Sequence, residues 1–371
     1  MRRFGRTLVT AALAVTVVGG TAGWASGDSQ SAVTGPPPGT AAWRADTAYG
    51  GALPDPATAT PHAVARFFAG LDDAARAALV RSHPLVVGNL DGAPVALRYE
   101  ANRLAAATGE ARYASLAAPG RRILAFDPRG RGQVAEVFGD LEHAAHVSVI
   151  VPGSDNDATS YDALRAPHTG PAGMARALLG AAGAGHHGSP VRGGSGSGGP
   201  VHGGAAADDA VAVIAWTGYT TPVGVGIDAA GGRLATAGAP RLARFTAGLD
   251  AVGAPDPVLF CHSYGSVVCG LAARHTDAAD IVALGSPGMR ARTAGALRTG
   301  ARVWAARGPS DWIADVPNVS LAGIGHGTDP TSAAFGARRV PAADVRGHTG
   351  YFMPGTQSLA AFAAIAKGDT R

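Results

Sequence analysis

The sequence predicts an α/β domain built on a mostly parallel sheet, with helices on both faces and a hairpin at the start of the sheet. Three observations predict it. Short apolar runs, HVSVIVPG, VAVIAW, VLF, IVALG and RVWAA, recur between residues 146 and 306. They lack polar alternation, as strands buried on both faces do. The stretches between them carry apolar residues at helical spacing, and strands alternating with helices give a parallel sheet. Ahead of them, RILAF (122–126) and QVAEVFG (133–139) flank the turn-rich DPRGRG, which reads as a hairpin.

The elements follow in chain order. MRRFGRTLVTAALAVTVVGGTAGWASG opens with arginines, continues apolar from Leu8 to Val18 and ends in small residues. Residues 1–26 therefore read as a secretory signal peptide with cleavage near Ala25 or Gly27; the alternative is an uncleaved anchor. The run is short for a bilayer span, which needs about 20 residues, and no later stretch is long and apolar enough. The expected product carries no stable membrane span after cleavage and is secreted or held at the cell envelope. Residues 27–58, with GPPPG at 35–39, read as a flexible linker.

Residues 59–120 read as a helical extension. Thr60 caps and Pro61 starts one helix, HAVARFFAGLDDAARAALVRSHP, and APVALRYEANRLAAATG supplies a second that ends at Gly109. The main domain spans 121–371. After the hairpin and the strand at 146–153 come a helix over 160–179, a strand over 211–216 and a helix over 239–249. VLF leads into SVVCGLAARH, which reads as a helix, and further strands fall at 281–285 and 302–306 with a helix near 290–297 between them. A weaker strand at 338–341 and a helix over 356–366 close the chain. Within this domain, residues 180–207 are glycine-rich and too polar to pack, and read as a disordered insert.

Hydrophobic residues are 46% of the 371 and charged residues 16%, enough for a sizeable core. Of the net charge of +4, Arg2, Arg3 and Arg6 in the leader supply three, and no basic block remains elsewhere. Nucleic acid is therefore not an expected partner. His186, His187 and His202 of the insert lack acidic partners or a ligand spacing, so no metal is expected. Asp155 and Asp157 form a lone D-x-D, which reads as turn and cap chemistry rather than as calcium ligands.

VLFCHSYGSVVCG, at 258–270, is where chemistry enters. An apolar strand ends at Ser263, a helix follows, and the residues two before and two after the serine are small, Cys261 and Gly265. That is the form of a nucleophile elbow, which exposes a serine on a strained strand-to-helix turn. Cysteine is a small, readily buried substitute for the usual glycine. Cys261 and Cys269 are the only cysteines. They are either bridged, as an oxidising compartment allows, or two buried small hydrophobes.

A serine of this kind needs a base and an acid, and in the α/β-hydrolase arrangement they follow in the order Ser, Asp or Glu, His. The strand at 302–306 is followed by RGPSDWIADVP, so Asp311 is the expected acid and Asp315 its competitor. The base is expected in the last loop, as His348 in RGHTGYF, with His326 in GIGHGTDP as the runner-up. His262 adjoins the serine and reads as a packing residue. The oxyanion hole is expected from the N–H of Tyr264 with that of Gly153 or Ser154 in VPGSDND. Trp216, Tyr219 and Trp312 fall near strand ends and are expected either to line an apolar acyl pocket or to fill core.

Together HPLVVGNLDGAPVALRYEANR, ILAFDPRGRGQVAEVFGDLEHAAHVSVIVPGSDND, VAVIAWTGYTTP, LFCHSYGSVV and GHTGYF resemble the secreted actinobacterial α/β-hydrolases long catalogued as a domain of unknown function, the eighth such grouping. The resemblance runs from about residue 61 to the C-terminus. It implies an α/β-hydrolase fold with Ser263 as nucleophile, and little about substrate. The function expected is a secreted serine hydrolase cleaving a carboxylic ester, on a small-molecule or lipid-like substrate, with no cofactor. The alternatives are an acyltransferase acting on cell-envelope glycans and a non-catalytic envelope-binding protein on the same fold.

Overall fold

The computed structural model describes residues 29–49, 51–162, 167–184, 210–320 and 323–369. Eight strands form one sheet in the order β1-β2-β4-β3-β5-β6-β7-β8. They are β1 (Ile123–Asp127), β2 (Gln133–Phe138), β3 (His146–Val151), β4 (Val211–Thr217), β5 (Val258–His262), β6 (Asp280–Leu284), β7 (Arg302–Ala306) and β8 (Arg338–Arg339). β1 and β2 form the expected antiparallel hairpin, β2 is antiparallel to β4, and every pairing from β4 to β8 is parallel.

The unalternating runs have the burial they predict. In β3, Val147, Val149 and Val151 face one core and Ile150 faces the other. In β5, Leu259 and Cys261 point to the first core and Val258 and Phe260 to the second. The first core is closed by the helices Arg233–Ala251 and Gly265–Ala272, through Leu234, Leu242, Phe245 and Val267. The second is closed by Pro171–Ala184 and Gln357–Ala366, through Met174, Leu178 and Phe362.

Several boundaries differ from expectation. The first N-terminal helix is two, Pro61–Ala69 and Asp73–Ser82: the chain turns at Gly70, and the Asp72 carboxylate caps the second by accepting from Ala75 N at 2.8 Å. A further helix, Pro84–Asn89, starts on a proline that reads in sequence as a stop. The helix expected over 160–179 starts at Pro171, because Asp157 ties Thr159 and Ser160 into a turn. It runs to Ala184, into the expected insert; residues 185–209, with His186, His187 and His202, lie outside the described residues. The helix expected over 239–249 begins earlier, at Arg233, and Pro240 lies inside it. Near 290–297 there is only a short 3-10 turn, Ala294–Leu297.

The expected flexible linker is corrected most. Residues 29–49 and 51–58 lie against the domain, with a helix over Thr40–Ala45. Trp43 is fully buried among Val64, Phe68, Val86 and Val87, and its indole N–H donates to Pro54 O at 2.8 Å. Upstream, Gln30 N donates to Asp228 and Val33 N to Thr220. Proline and glycine composition reads as a tether, but one buried tryptophan removes enough apolar surface from water to hold the segment down.

Candidate active site

β3 pairs with β4 on one side and β5 on the other, so the chain reverses direction across the sheet at β3. A crevice opens at the carboxyl ends of strands at such a switch point. Gly153 follows β3 there and Ser263 follows β5.

Ser263 is one of four non-glycine residues with positive φ among the described residues, at 53°. Left-handed backbone costs an ordinary residue roughly 1–2 kcal/mol, and tertiary contacts hold it. Ser263 N donates to Leu284 O at 2.9 Å, and Ser266 Oγ donates to Ser263 O at 2.6 Å. A Cβ on Gly265 would stand 2.2 Å from Val151 O and 2.6 Å from Pro152 O, so the second small position admits only glycine. Cys261, at the first, is fully buried and bonded through sulfur to Cys269, four residues into the following helix. The disulfide therefore straddles the turn that carries Ser263.

The loop after β3 lies directly over the turn. A Cβ on Gly153 would stand 2.6 Å from Ser263 Cβ, 3.0 Å from its Oγ and 3.1 Å from Tyr264 N. Tyr219 OH donates to Pro152 O at 2.7 Å, and Asn156 Nδ2 to Ser154 O at 2.7 Å. Asp155, also at positive φ, accepts from Gly224 N, and its own N–H donates to Pro222 O. Asp155 and Asp157 are thus turn residues, and neither caps a described helix. No group of three or more His, Cys, Asp or Glu residues poised for a metal occurs among the described residues.

Asp311 and His348 meet across 37 residues of sequence: the Nδ1 of His348 lies 2.8 Å from Asp311 Oδ1. Asp311 is buried and caps the 3-10 turn Trp312–Asp315 through Ile313 N at 2.9 Å. Its other oxygen accepts from Tyr351 OH at 2.5 Å, and that hydroxyl accepts from Gly308 N at 3.1 Å. Burial alone would raise the Asp311 carboxyl; the bonds from His348, Tyr351 and Ile313 outweigh it and hold its pKa below the ordinary value. Gly285, at φ 54°, gives the pair room, since a Cβ there would stand 2.9 Å from Asp311 Oδ2 and 3.1 Å from His348 Cε1.

His348 Nε2 is buried and has no hydrogen-bond partner, so Ser263 Oγ and His348 are not directly bonded. The imidazole is fixed on two further sides. The Trp312 ring packs on it with centroids 4.6 Å apart, and the His262 ring with centroids 4.8 Å apart. His262 Nε2 lies 2.7 Å from His348 O and donates to it. Burial first, and then the neighbouring His348, push the pKa of His262 down to about 4, so it is a neutral donor near pH 7.

The alternatives fall elsewhere. His326 is buried beneath Tyr264, with Nε2 2.7 Å from Ala229 O and Nδ1 accepting from Arg290 Nε at 3.3 Å. Burial lowers its pKa to about 4. Asp315 is exposed. Of the aromatic residues expected near the site, Trp216 and Tyr219 stack in the core with centroids 6.0 Å apart, and only Trp312 borders His348. Sequence reasoning missed Tyr351 and the bond from His262. Tyr351 lies in GHTGYF, but a hydroxyl reaching across 40 residues leaves no spacing to read.

The match to a family sequence model agrees with this architecture. Residues 127–189 and 200–321, which include Gly153, Ser263 and Asp311, match the sequence model of a family described as alpha/beta hydrolase. Two uncharacterized proteins of Mycobacterium tuberculosis, one from each of two strains, are 28% identical to the chain. The matches cover 85% of this chain and 57% of theirs, so the chain spans little more than half the length of these relatives. A crystal structure from Xanthomonas campestris, described as an a/b serine hydrolase without lid, is 13% identical with a TM-score of 0.35, over 68% of this chain and 94% of that one. With its central parallel sheet and the match across its middle, the chain belongs to the α/β-hydrolase family that its sequence motifs resemble.

Proposed function

We propose that this protein is a serine hydrolase that cleaves carboxylic esters through an acyl-enzyme, with Ser263 as nucleophile, His348 as base and Asp311 as the acid that orients it. One observation carries the reading: Ser263 sits at positive φ where a buried strand turns into a helix, at the sheet end that also bears the bonded Asp311–His348 pair.

The chemistry follows from the geometry. Asp311 takes the Nδ1 proton of His348 in a hydrogen bond, which leaves Nε2 as the basic nitrogen. Nε2 accepts the Ser263 hydroxyl proton as Oγ attacks the ester carbonyl. The resulting oxyanion accepts from Tyr264 N–H at the helix start and from an N–H of the Gly153–Ser154 turn. His348 returns the proton to the departing alkoxide, and the alcohol leaves. Water, deprotonated by His348, then attacks the acyl-enzyme, and the acid departs as Ser263 regains its proton. Catalytic hydrogen bonds are often long or open before substrate binds, and the open Ser263–His348 link has that form. No step requires a metal or cofactor.

The leader with Arg2, Arg3 and Arg6 supports export, which N-terminal sequencing of protein recovered from the medium tests. For the activity, the test is hydrolysis of p-nitrophenyl esters by the native chain and by Ser263→Ala. Loss of a triad serine lowered turnover by about six orders of magnitude in a protease, and a comparable loss is expected here. Equal rates in both proteins would remove Ser263 from the chemistry.

A further inference from the structure

Exposed apolar side chains occur singly on any protein surface; a cluster at one place marks a contact. Here the large hydrophobic residues exposed among the described residues all lie at one end of the sheet. Val223, Val225 and Ile227 follow the carboxyl end of β4. Trp312, Val319 and Ile324 follow that of β7, and Met353 follows β8. This is the end that carries Ser263 and His348. No such residue is exposed on the described helices that cover the two faces or at the opposite end of the sheet, Ile227 excepted, which opens a single helical turn at the rim.

The loops are tied to one another and to the site. Ile324 bridges to Gly231, and Gly325 N donates to Ala230 O, which joins the β7 loop to the β4 loop. Tyr264, next to Ser263, donates its hydroxyl proton to Gly231 O at 2.9 Å. On the other side the apolar surface reaches the base itself, where Trp312 packs on His348. A groove of about 440 Å³ opens between Ile227 and Ile324, with Arg290 in its wall. The Arg290 guanidinium bonds to Gly323 O and His326 rather than to a carboxylate. Ser29, the first of the described residues, lines the same groove.

We propose that this rim docks on an anionic lipid bilayer and that the ester taken by Ser263 is a long-chain acyl ester drawn from it; the substrate half rests on the hydrolase reading above. Apolar side chains with an arginine beside them suit burial at the headgroup boundary. Continuity with His348 puts an acyl chain leaving the bilayer onto Trp312 and so toward the serine.

Two readouts test it on the protein in the form in which it accumulates: hydrolysis of soluble p-nitrophenyl butyrate, and cosedimentation with vesicles of phosphatidylglycerol and phosphatidylcholine. The native chain should bind the vesicles and hydrolyse p-nitrophenyl palmitate carried in them. Ile227→Asp combined with Ile324→Asp should weaken vesicle binding about a hundredfold, lower palmitate hydrolysis with it, and leave butyrate hydrolysis within about twofold. Val223→Asp, which leaves Ile227 and Ile324 in place, should act in the same direction and guards against a fold defect in the double variant. Vesicle affinity unchanged in both variants overturns the proposal, whether binding then comes from the leader or is absent throughout. So does a variant whose sedimentation shifts from dimer to monomer while vesicle binding stays, because the rim is then a contact between copies. Variant-sensitive vesicle binding with no ester hydrolysis by the native chain sinks the hydrolase reading and the ester with it, and keeps the docking surface.

Discussion

Two halves of the site are built by opposite means. The Ser263 half is contiguous, and its residues are dictated by backbone: a left-handed turn, a glycine that carbonyl oxygens crowd, a helix that starts one residue later. The Asp311–His348 half is assembled from loops far apart in sequence and held by side chains, with Tyr351 and Ser310 fastening one loop to the other and His262, at the end of β5, tying the His348 loop to the sheet. Substitutions in the first half should therefore act through geometry. In the second they should act through lost hydrogen bonds on a buried charge.

The sharpest contrast is Asp311→Asn. It keeps the shape and turns the carboxylate that holds the His348 tautomer into a neutral amide with one acceptor oxygen and a donor, and the equivalent change cost a protease about 10⁴ in turnover. A loss of that order is expected here, with melting temperature little changed; ester kinetics alongside a thermal melt check both.

Acid should separate the halves next. The pKa of His262 is pushed down to about 4 in the folded chain, against about 6.5 when unfolded. Its contribution is therefore complete above about 6.5 and is lost as pH falls toward and through 4, because the unfolded chain takes up the proton first. On the order of 3 kcal/mol should disappear between pH 7 and pH 4 from this group, and the buried His326 adds a loss of the same sign. Urea titrations across that range should show the fall, and His262→Asn should flatten part of it.

Removing the disulfide tests the contiguous half. Its loop is short, with a sequence separation of 8, so Cys261→Ala with Cys269→Ala should lose about 2.5 kcal/mol of stability by the chain-entropy relation. Because the bridge straddles the elbow, kcat should fall with it while His348 and Asp311 stay paired. A double variant with native stability and native kcat would mean that the turn is held without it.

The smallest effect is expected from Tyr351→Phe, which takes one donor from Asp311 and leaves Gly308 N without its acceptor. A buried polar group left unpaired costs about 1–3 kcal/mol. Turnover should drop by about tenfold or less with KM unchanged, since Tyr351 OH bonds Asp311 and Gly308 N and touches neither Ser263 nor His348 Nε2.

The same contrast explains what was legible in the sequence. The elbow could be read because its chemistry is local: apolar run, serine, small neighbours, helix. The strands could be read because burial on both faces leaves uninterrupted apolar runs. Asp311 and His348 could be named from chain order alone, although their pairing is a product of folding. Contacts that depend on distant side chains could not be read, and Tyr351 and His262 are the examples. Trp216 and Tyr219 were ambiguous because an aromatic near a strand end serves a pocket or a core equally well in sequence. The segment around Trp43 was misread because composition averages away the one residue that anchors it.

The central claim is that Ser263 is made nucleophilic by the Asp311–His348 pair. A fluorophosphonate probe followed by peptide mapping tests it most directly, comparing the native chain with His348→Ala after a thermal melt has confirmed that both are folded. The account predicts labelling on Ser263 in the native chain and its loss in the variant. Labelling of folded His348→Ala at the native rate, or of a residue other than Ser263, would contradict it.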